Sequence, residues 1–328
     1  MVISTLTKNL KNIGVEARVY SDKDKKQWDA FVQASKNGTF LFQRDFMEYH
    51  SDRFDDLSIL FNRNDSIIGL FPGNIKEDVF YTHQGLTYGG LITSRETKAL
   101  DVLEMFDCAI TFLKDKGVRE IIYKAIPHIY HQHPAEEDLY ALFLHKAQLV
   151  ARGISSAIQF SSDDIEYSKS RISGLKKAER EGIVVRETSD YTTFWEILSQ
   201  NLMKRYTSYP VHTLQEISKL SNLFPENIKL YGAFSSSGEM LGGEVVFVSK
   251  NVVHAQYTAA TQEGRKFGAV DLLIDYVIRE AKRSGKRYFD YGISTENNGL
   301  YLNEGLISQK EGFGARAVVY DIYSIKLS

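Results

Sequence analysis

Several side chains in this sequence have the types and spacing that chemistry needs. In the run Asn251-Val252-Val253-His254-Ala255-Gln256-Tyr257-Thr258, strand alternation puts His254, Gln256 and Thr258 on one face and Val253, Ala255 and Tyr257 on the other. His254 can take a proton near neutral pH, or it can be a polar residue on an outward strand face. Further on, Gly264-Arg265-Lys266-Phe267-Gly268-Ala269-Val270 precedes a helical pattern. Small residues and unpaired N–H groups at such a helix start can cradle a pyrophosphate. Lys310, in Lys310-Glu311-Gly312-Phe313-Gly314, can stabilise an oxyanion or hold a phosphate. His128, His131 and His133 have a spacing that invites a metal, but the motif fixes no carboxylate or fourth ligand, so no metal is expected. Lys169, Arg171, Lys176, Lys177 and Arg180 share a helical stretch with Glu179 and Glu181. That stretch reads as a solvated face, or as a contact for a phosphate-bearing substrate. The chain has no Walker loop, no Gly-x-Ser-x-Gly elbow and no dinucleotide fingerprint.

The elements that must position these groups occur twice. Residues 57–126 give three apolar runs joined by short polar turns, then a helical stretch ending at Gly117, then the strand Arg119-Glu120-Ile121-Ile122-Tyr123. Residues 228–293 give the same order, with the helical stretch ending at Gly285. The flanks extend the repeat. Each half then reads β-α-α-β-β-β-α-β-α-β, with helix assignments resting on i, i+3, i+4 spacing such as Val270, Leu273, Ile274, Val277, Ile278 and Ala281. Gly117 and Gly285 stand where helix C-caps belong. The boundary is expected near residue 160, dividing the chain into halves 1–160 and 161–328. The fold class is α/β with mixed sheets, built by internal duplication.

Composition narrows the function. At 328 residues the chain has room for about two domains of roughly 150 residues each. Lys+Arg 40 against Asp+Glu 42 leaves a net charge of −2, which argues against a strongly basic nucleic-acid binder. The single cysteine, Cys108, forbids an intramolecular disulfide, and its apolar helical context makes it a structural thiol. Met1-Val2-Ile3-Ser4-Thr5-Leu6-Thr7-Lys8 lacks the apolar core of a signal peptide. No uncharged apolar run is long enough to span a bilayer. A cytoplasmic location is expected.

The element order resembles the GNAT acyltransferase fold, and its duplication resembles the Fem-type peptidyltransferases and their bacterial acyltransferase relatives. Three stretches carry the Fem-type resemblance: Phe40–His50, the basic run 168–185 with Ala178-Glu179-Arg180-Glu181-Gly182, and the tail 305–320 with Lys310-Glu311-Gly312-Phe313-Gly314. The resemblance puts Lys310 in the reaction site and implies that the fourth and fifth strands of a half splay so that donor and acceptor meet in the gap. It makes Tyr301, just after the fifth strand, a general acid and Glu296 a base beside it. Arg265, Lys266, Phe267, Gly268 and Ala269 stand at the acyl-CoA loop, with Val270 where a small residue is usual. Arg205, His212, Tyr88, His128 and His131 become acceptor binders. The first half has no Arg-x-x-Gly at the equivalent place, which makes it a degenerate, acceptor-side domain and the second half the donor-binding, catalytic one.

The expected function is acyl-CoA-dependent N-acyl transfer, with acetyl-CoA or another acyl-CoA as donor substrate. Its acceptor is an amino group on a cell-envelope or nucleotide-sugar type molecule, reached in a cleft between the two domains. The first half lacks the acceptor aspartate of the peptidyltransferases, Gln84-Gly85-Leu86-Thr87-Tyr88-Gly89 holding no acid. Transfer from aminoacyl-tRNA to a peptidoglycan precursor is therefore the second reading. A pair of domains that only binds a ligand or partner is the third.

Overall fold

The computed structural model describes residues 14–161 and 165–327. It divides into two compact units, Met1–Ala151 with Tyr320–Ser328, and Arg152–Val319. The expected boundary near residue 160 lies eight or nine residues past this division, and the last strand contributes its end to the first unit.

The first unit runs β1 (Glu16–Val19), α1 (Lys25–Ala34), α2 (Arg44–Met47), β2 (Asp55–Asp56), β3 (Ile59–Arg63), β4 (Ser66–Phe71), β5 (Asn74–Lys76), β6 (Val79–Tyr81), β7 (Ile92–Thr93), α3 (Ala99–Asp115), β8 (Glu120–Lys124) and α4 (Glu137–Leu144). Its strands form two sheets. One has the order β1-β3-β4-β7 and the other β2-β5-β6-β8, where β8 also pairs antiparallel with Ile322–Lys326. The third strand of the repeat is broken here into short pieces. Pro72, with no N–H to give a ladder, follows β4 directly. Helix α3 buries Val102, Met105, Phe106, Ala109 and Leu113 against Phe71, Phe80 and Tyr123, each large apolar side chain adding about 1.5–3 kcal/mol. Cys108 is half-buried on this helix, its Sγ 3.5 Å from the Val15 carbonyl, and burial pushes its thiol up.

The second unit begins in β9 (Gln148–Gln159) and continues α5 (Lys169–Arg180), β10 (Val184–Thr188), α6 (Tyr191–Tyr206), α7 (Leu214–Leu223), β11 (Ile228–Phe234), β12 (Met240–Val248), β13 (Val252–Ala260), α8 (Gln262–Phe267), α9 (Ala269–Arg283), β14 (Tyr288–Ile293), β15 (Thr295–Glu296), β16 (Tyr301–Leu302), α10 (Glu304–Glu311) and β17 (Arg316–Lys326). Its main sheet has the order β10-β11-β12-β13-β14-β9, antiparallel throughout except for the parallel pair β13 and β14. Leu273, Ile274, Val277, Ile278 and Ala281 of α9 are buried, as the spacing predicts, while Val270 at its start is only half-buried. Among the described residues no helix is long and apolar enough to cross a membrane.

Candidate active site

Strands β13 and β14 pair over only three residues each, Val252–His254 with Tyr288–Asp290. Both strands continue beyond that point without pairing to each other. A cavity of about 760 Å³ opens there. Ala255, Gln256, Thr258, Ala259 and Ala260 of β13 and Tyr291 and Ile293 of β14 line it, together with residues of α5, α6, α9 and α10. The parallel pairing is what permits the parting, since its two strands come from a crossover through α9 rather than from a tight hairpin.

The alternation expected along β13 does not hold. Val245 of β12 faces Tyr257, but Val246 faces Ala255, so Gln256 is an extra residue in a β-bulge. The bulge turns the strand over. His254 shares a face with Tyr257, and Thr258 lies on the opposite face with Glu244, its partner across the ladder.

His254 stands on the last paired rung, facing Asp290. Its Nδ1 lies 2.8 Å from Asp290 Oδ2. Asp290 is fully buried, and its other oxygen accepts from Ser155 Oγ at 2.5 Å and from the Gly292 amide at 3.2 Å. With Nδ1–H given to Asp290, the neutral ring carries its lone pair on Nε2. Beside this pair, Lys310 is 7% exposed at the end of α10. Its Nζ donates to the carbonyls of Gly292 and Ile293 at 2.8 and 3.0 Å and to Ser294 Oγ at 2.9 Å. Burial lowers its pKa to about 8, opposed by the charge of Asp290. Lys310 lines the cavity, and its three hydrogen bonds fasten α10 to the end of β14.

The expected donor loop is mostly helical. Thr261 caps α8, its Oγ1 accepting from the Gly264 amide at 3.0 Å, and Gly268 ends the helix with φ of +80° before α9 begins. Of its residues, Arg265 and Gly268 line the cavity. Arg265 donates to the Ala260 carbonyl at 2.7 Å and to the Asn201 side chain, so its guanidinium is tied to the end of β13. Lys266 is exposed over the Phe267 ring, and Ala269 is buried in the core.

Two features of α5 bear on a CoA diphosphate at the start of α9. A Cβ on Gly268 would stand 2.4 Å from the Gly174 carbonyl oxygen, so α5 backbone lies directly on this turn. Asp271, in the first turn of α9, places a carboxylate there, paired with Arg171 at 2.5 Å. A diphosphate seated on this turn would meet a carbonyl and a carboxylate.

The other expected residues are dispersed. Glu296 and Tyr301 face each other across the β15–β16 pair, both exposed, and neither lines the cavity. His212 is buried, its Nδ1 2.6 Å from Tyr257 Oη, and Trp195 Nε1 donates to its carbonyl at 3.2 Å. The side chain of Arg205 lies outside the described residues. In the first unit Tyr88 is buried, donating to Thr39 Oγ1 at 3.2 Å and packing 4.5 Å from the Tyr130 ring. His131 is buried with Nε2 3.1 Å from the Ile126 carbonyl, and burial lowers its pKa to about 4. His128 and His133 are exposed. Among the described residues no group of three or more His, Cys, Asp or Glu side chains is placed to hold a metal ion. In α5, Arg171 lines the cavity while Lys169, Lys176 and Arg180 are exposed.

Asp290 and Glu244 belong to none of the motifs in the sequence. Each is a lone acid inside an apolar strand run, Tyr288-Phe289-Asp290-Tyr291 and Gly243-Glu244-Val245-Val246, and a charge in a strand with two covered faces was the available signal.

Comparison with known proteins agrees with this architecture. Residues 169–298 match the family described as acetyltransferase (GNAT) domain. No curated protein matches the chain. Among solved structures, FemX aligns with a TM-score of 0.67 at 13% identity, covering 93% of this chain and 96% of its own. L-PGS from Bacillus licheniformis aligns at 0.63 and 14% identity, covering 95% and 93%. A tandem GNAT protein from the clavulanic acid biosynthesis pathway aligns at 0.50 and 11% identity, covering 96% and 99%. The chain therefore has a tandem GNAT, Fem-like fold, and the stretch that matches a GNAT acetyltransferase domain lies within its second unit.

Proposed function

We propose that the second unit transfers an acyl group to an amine in the cavity between β13 and β14. The observation that carries this reading is the parting of those strands just past the His254–Asp290 rung, which opens a cavity lined by both strands, with the rung itself outside the lining. The reaction needs a neutral amine, a stabilised oxyanion and a protonated leaving group. His254, oriented by Asp290, takes the amine proton on Nε2. The Lys310 charge, in the cavity wall at the end of β14, favours negative charge developing on the carbonyl oxygen. The walls of β13 and β14 hold the reactants together.

The donor reading is an acyl thioester such as acyl-CoA, with an amino group on a cell-envelope or nucleotide-sugar type molecule as acceptor. The match to a GNAT acetyltransferase domain supports it. The Gly174 carbonyl and the Asp271 carboxylate at the start of α9 favour a second reading, an aminoacyl ester donor whose carrier is held elsewhere. Incubating the purified chain with acetyl-CoA or with charged tRNA, each with a panel of amines, and following acylated amine by mass spectrometry tests both. Product from acetyl-CoA alone establishes the first reading, and product from charged tRNA alone establishes the second. No product from any donor would leave the chain as a ligand-binding protein.

A further inference from the structure

Behind the cavity wall, on the opposite face of β13 from His254, lies a carboxyl group with no cation beside it. Glu244 of β12 is fully buried. Thr258 Oγ1 donates to one oxygen, Oε1, at 2.9 Å, a bond whose direction reverses when the carboxyl is protonated and the hydroxyl turns to the cavity, and the other oxygen, Oε2, is buried without a hydrogen-bond partner. Thr258 is exposed to the cavity it lines. A single hydroxyl thus connects a buried carboxyl to the space where the acyl group is transferred.

The surroundings favour the neutral carboxyl. Across β11 its partner is Tyr231, and from β14 the buried, unpartnered hydroxyl of Tyr291 feels its charge. The charged groups of α5 and α9 that act on Tyr291 are each paired, Arg171 with Asp271 and Asp275 with Arg279. Burial raises the pKa of Glu244 to about 7, with the Thr258 hydrogen bond opposing. An isolated carboxylate in such a place is costly, and protonation removes the cost.

We propose that Glu244 supplies, through Thr258, the proton taken by the leaving atom of the acyl donor. This rests on the acyl-transfer reading of the same cavity. When the bond between the acyl carbon and the carrier atom breaks, that atom keeps the electron pair and takes the Thr258 hydroxyl proton. Thr258 Oγ1 takes the Glu244 carboxyl proton in the same motion, leaving a carboxylate. His254, on the other face, holds the proton lost by the amine. Exchange with solvent through the open cavity then discharges the imidazolium and reprotonates Glu244, so the residues end the turnover as they began. The bulge at Gln256 places His254 and Thr258 on opposite faces of β13, the base toward the amine and the hydroxyl that relays the Glu244 proton toward the carrier.

The test varies the leaving group. Purified full-length chain is given two acetyl donors with ethanolamine as acceptor: the alkyl thioester of N-acetylcysteamine, which leaves poorly, and the aryl thioester of thiophenol, which leaves well. Glu244→Gln is expected to slow transfer from the alkyl thioester about 10²-fold or more and from the aryl thioester only a few-fold. Thr258→Val should behave likewise, and Thr258→Ser should keep most of the rate. The wild-type rate with the alkyl donor should fall as pH rises through about 7, and this limb should vanish in Glu244→Gln. Equal slowing with both donors, or an unchanged pH profile in an active Glu244→Gln, overturns the proposal while leaving the acyl-transfer reading intact. Should Glu244→Gln not fold, Thr258→Val at the cavity wall decides alone. A wild-type chain that acylates no amine from either thioester overturns the proposal together with the thioester reading.

Discussion

His254 and Asp290 close the parallel ladder between β13 and β14, with imidazole Nδ1 2.8 Å from a carboxylate that has no exposure to solvent. Beyond this rung the two strands part. The pair therefore marks the closed end of the candidate active site, and its second oxygen is held by Ser155 and by the Gly292 amide.

Asp290→Asn keeps the shape and removes the charge that fixes the imidazole tautomer. Turnover is expected to fall about 10²- to 10⁴-fold, with KM for the amine changed far less. His254→Gln should give a similar loss, and the double variant little more than either alone. Steady-state kinetics of the three variants check this. Losses that simply multiply would show that the two residues do not act as a unit.

Lys310→Met removes a buried charge and three hydrogen bonds from the end of β14. A loss of about 10²-fold or more in kcat is expected if the charge favours the oxyanion. Stability has an opposite component. The folded pKa is about 8, below the usual lysine value, so the folded state holds fewer protons than the unfolded one between about 8 and 10.5 and gains stability as pH rises through that window. Lys310→Met should flatten that rise in thermal melts at pH 8 and pH 10.

Asp271 tests the donor directly. If its carboxylate disfavours a diphosphate on the first turn of α9, Asp271→Asn should tighten acetyl-CoA binding about two- to tenfold. Isothermal titration of both proteins reads the change. Equal affinity would mean that the CoA diphosphate is held away from this turn or is not bound.

Gly268 is required by conformation and by space, with φ of +80° and the Gly174 carbonyl where a side chain would begin. Gly268→Ala should cost about 1–3 kcal/mol, seen as a melting temperature lower by several degrees. Gly238, also at positive φ but with nothing nearby, provides the control, and Gly238→Ala should cost less.

In the first unit, Tyr123 donates to the buried Asp138 at 2.5 Å. Burial raises the Asp138 pKa to about 6, so the folded state holds a proton that the unfolded state has released between about pH 4 and pH 6. This group's contribution to stability therefore falls as pH rises through that window. Asp138→Asn should remove the fall, so that the variant gains on the wild type by a few degrees in melting temperature between pH 4 and pH 6.5.

The duplicated element order and the buried stripe of α9 were legible in the amino-acid sequence. Each depends on local periodicity or on a short motif, and local physics suffices to express them. The placement of the candidate site required the tertiary structure. One extra residue at Gln256 reverses the faces of β13, and alternation along a single strand cannot reveal a bulge defined by its neighbour. Asp290 and Glu244 become significant only when sheet packing takes them out of water and sets His254 and Thr258 beside them. The same long-range packing lays Gly174 and Asp271 on the turn that the sequence offers to a phosphate. The elements follow from residue order, whereas the site follows from which strands and helices are neighbours, and that is decided by burial summed over the whole unit.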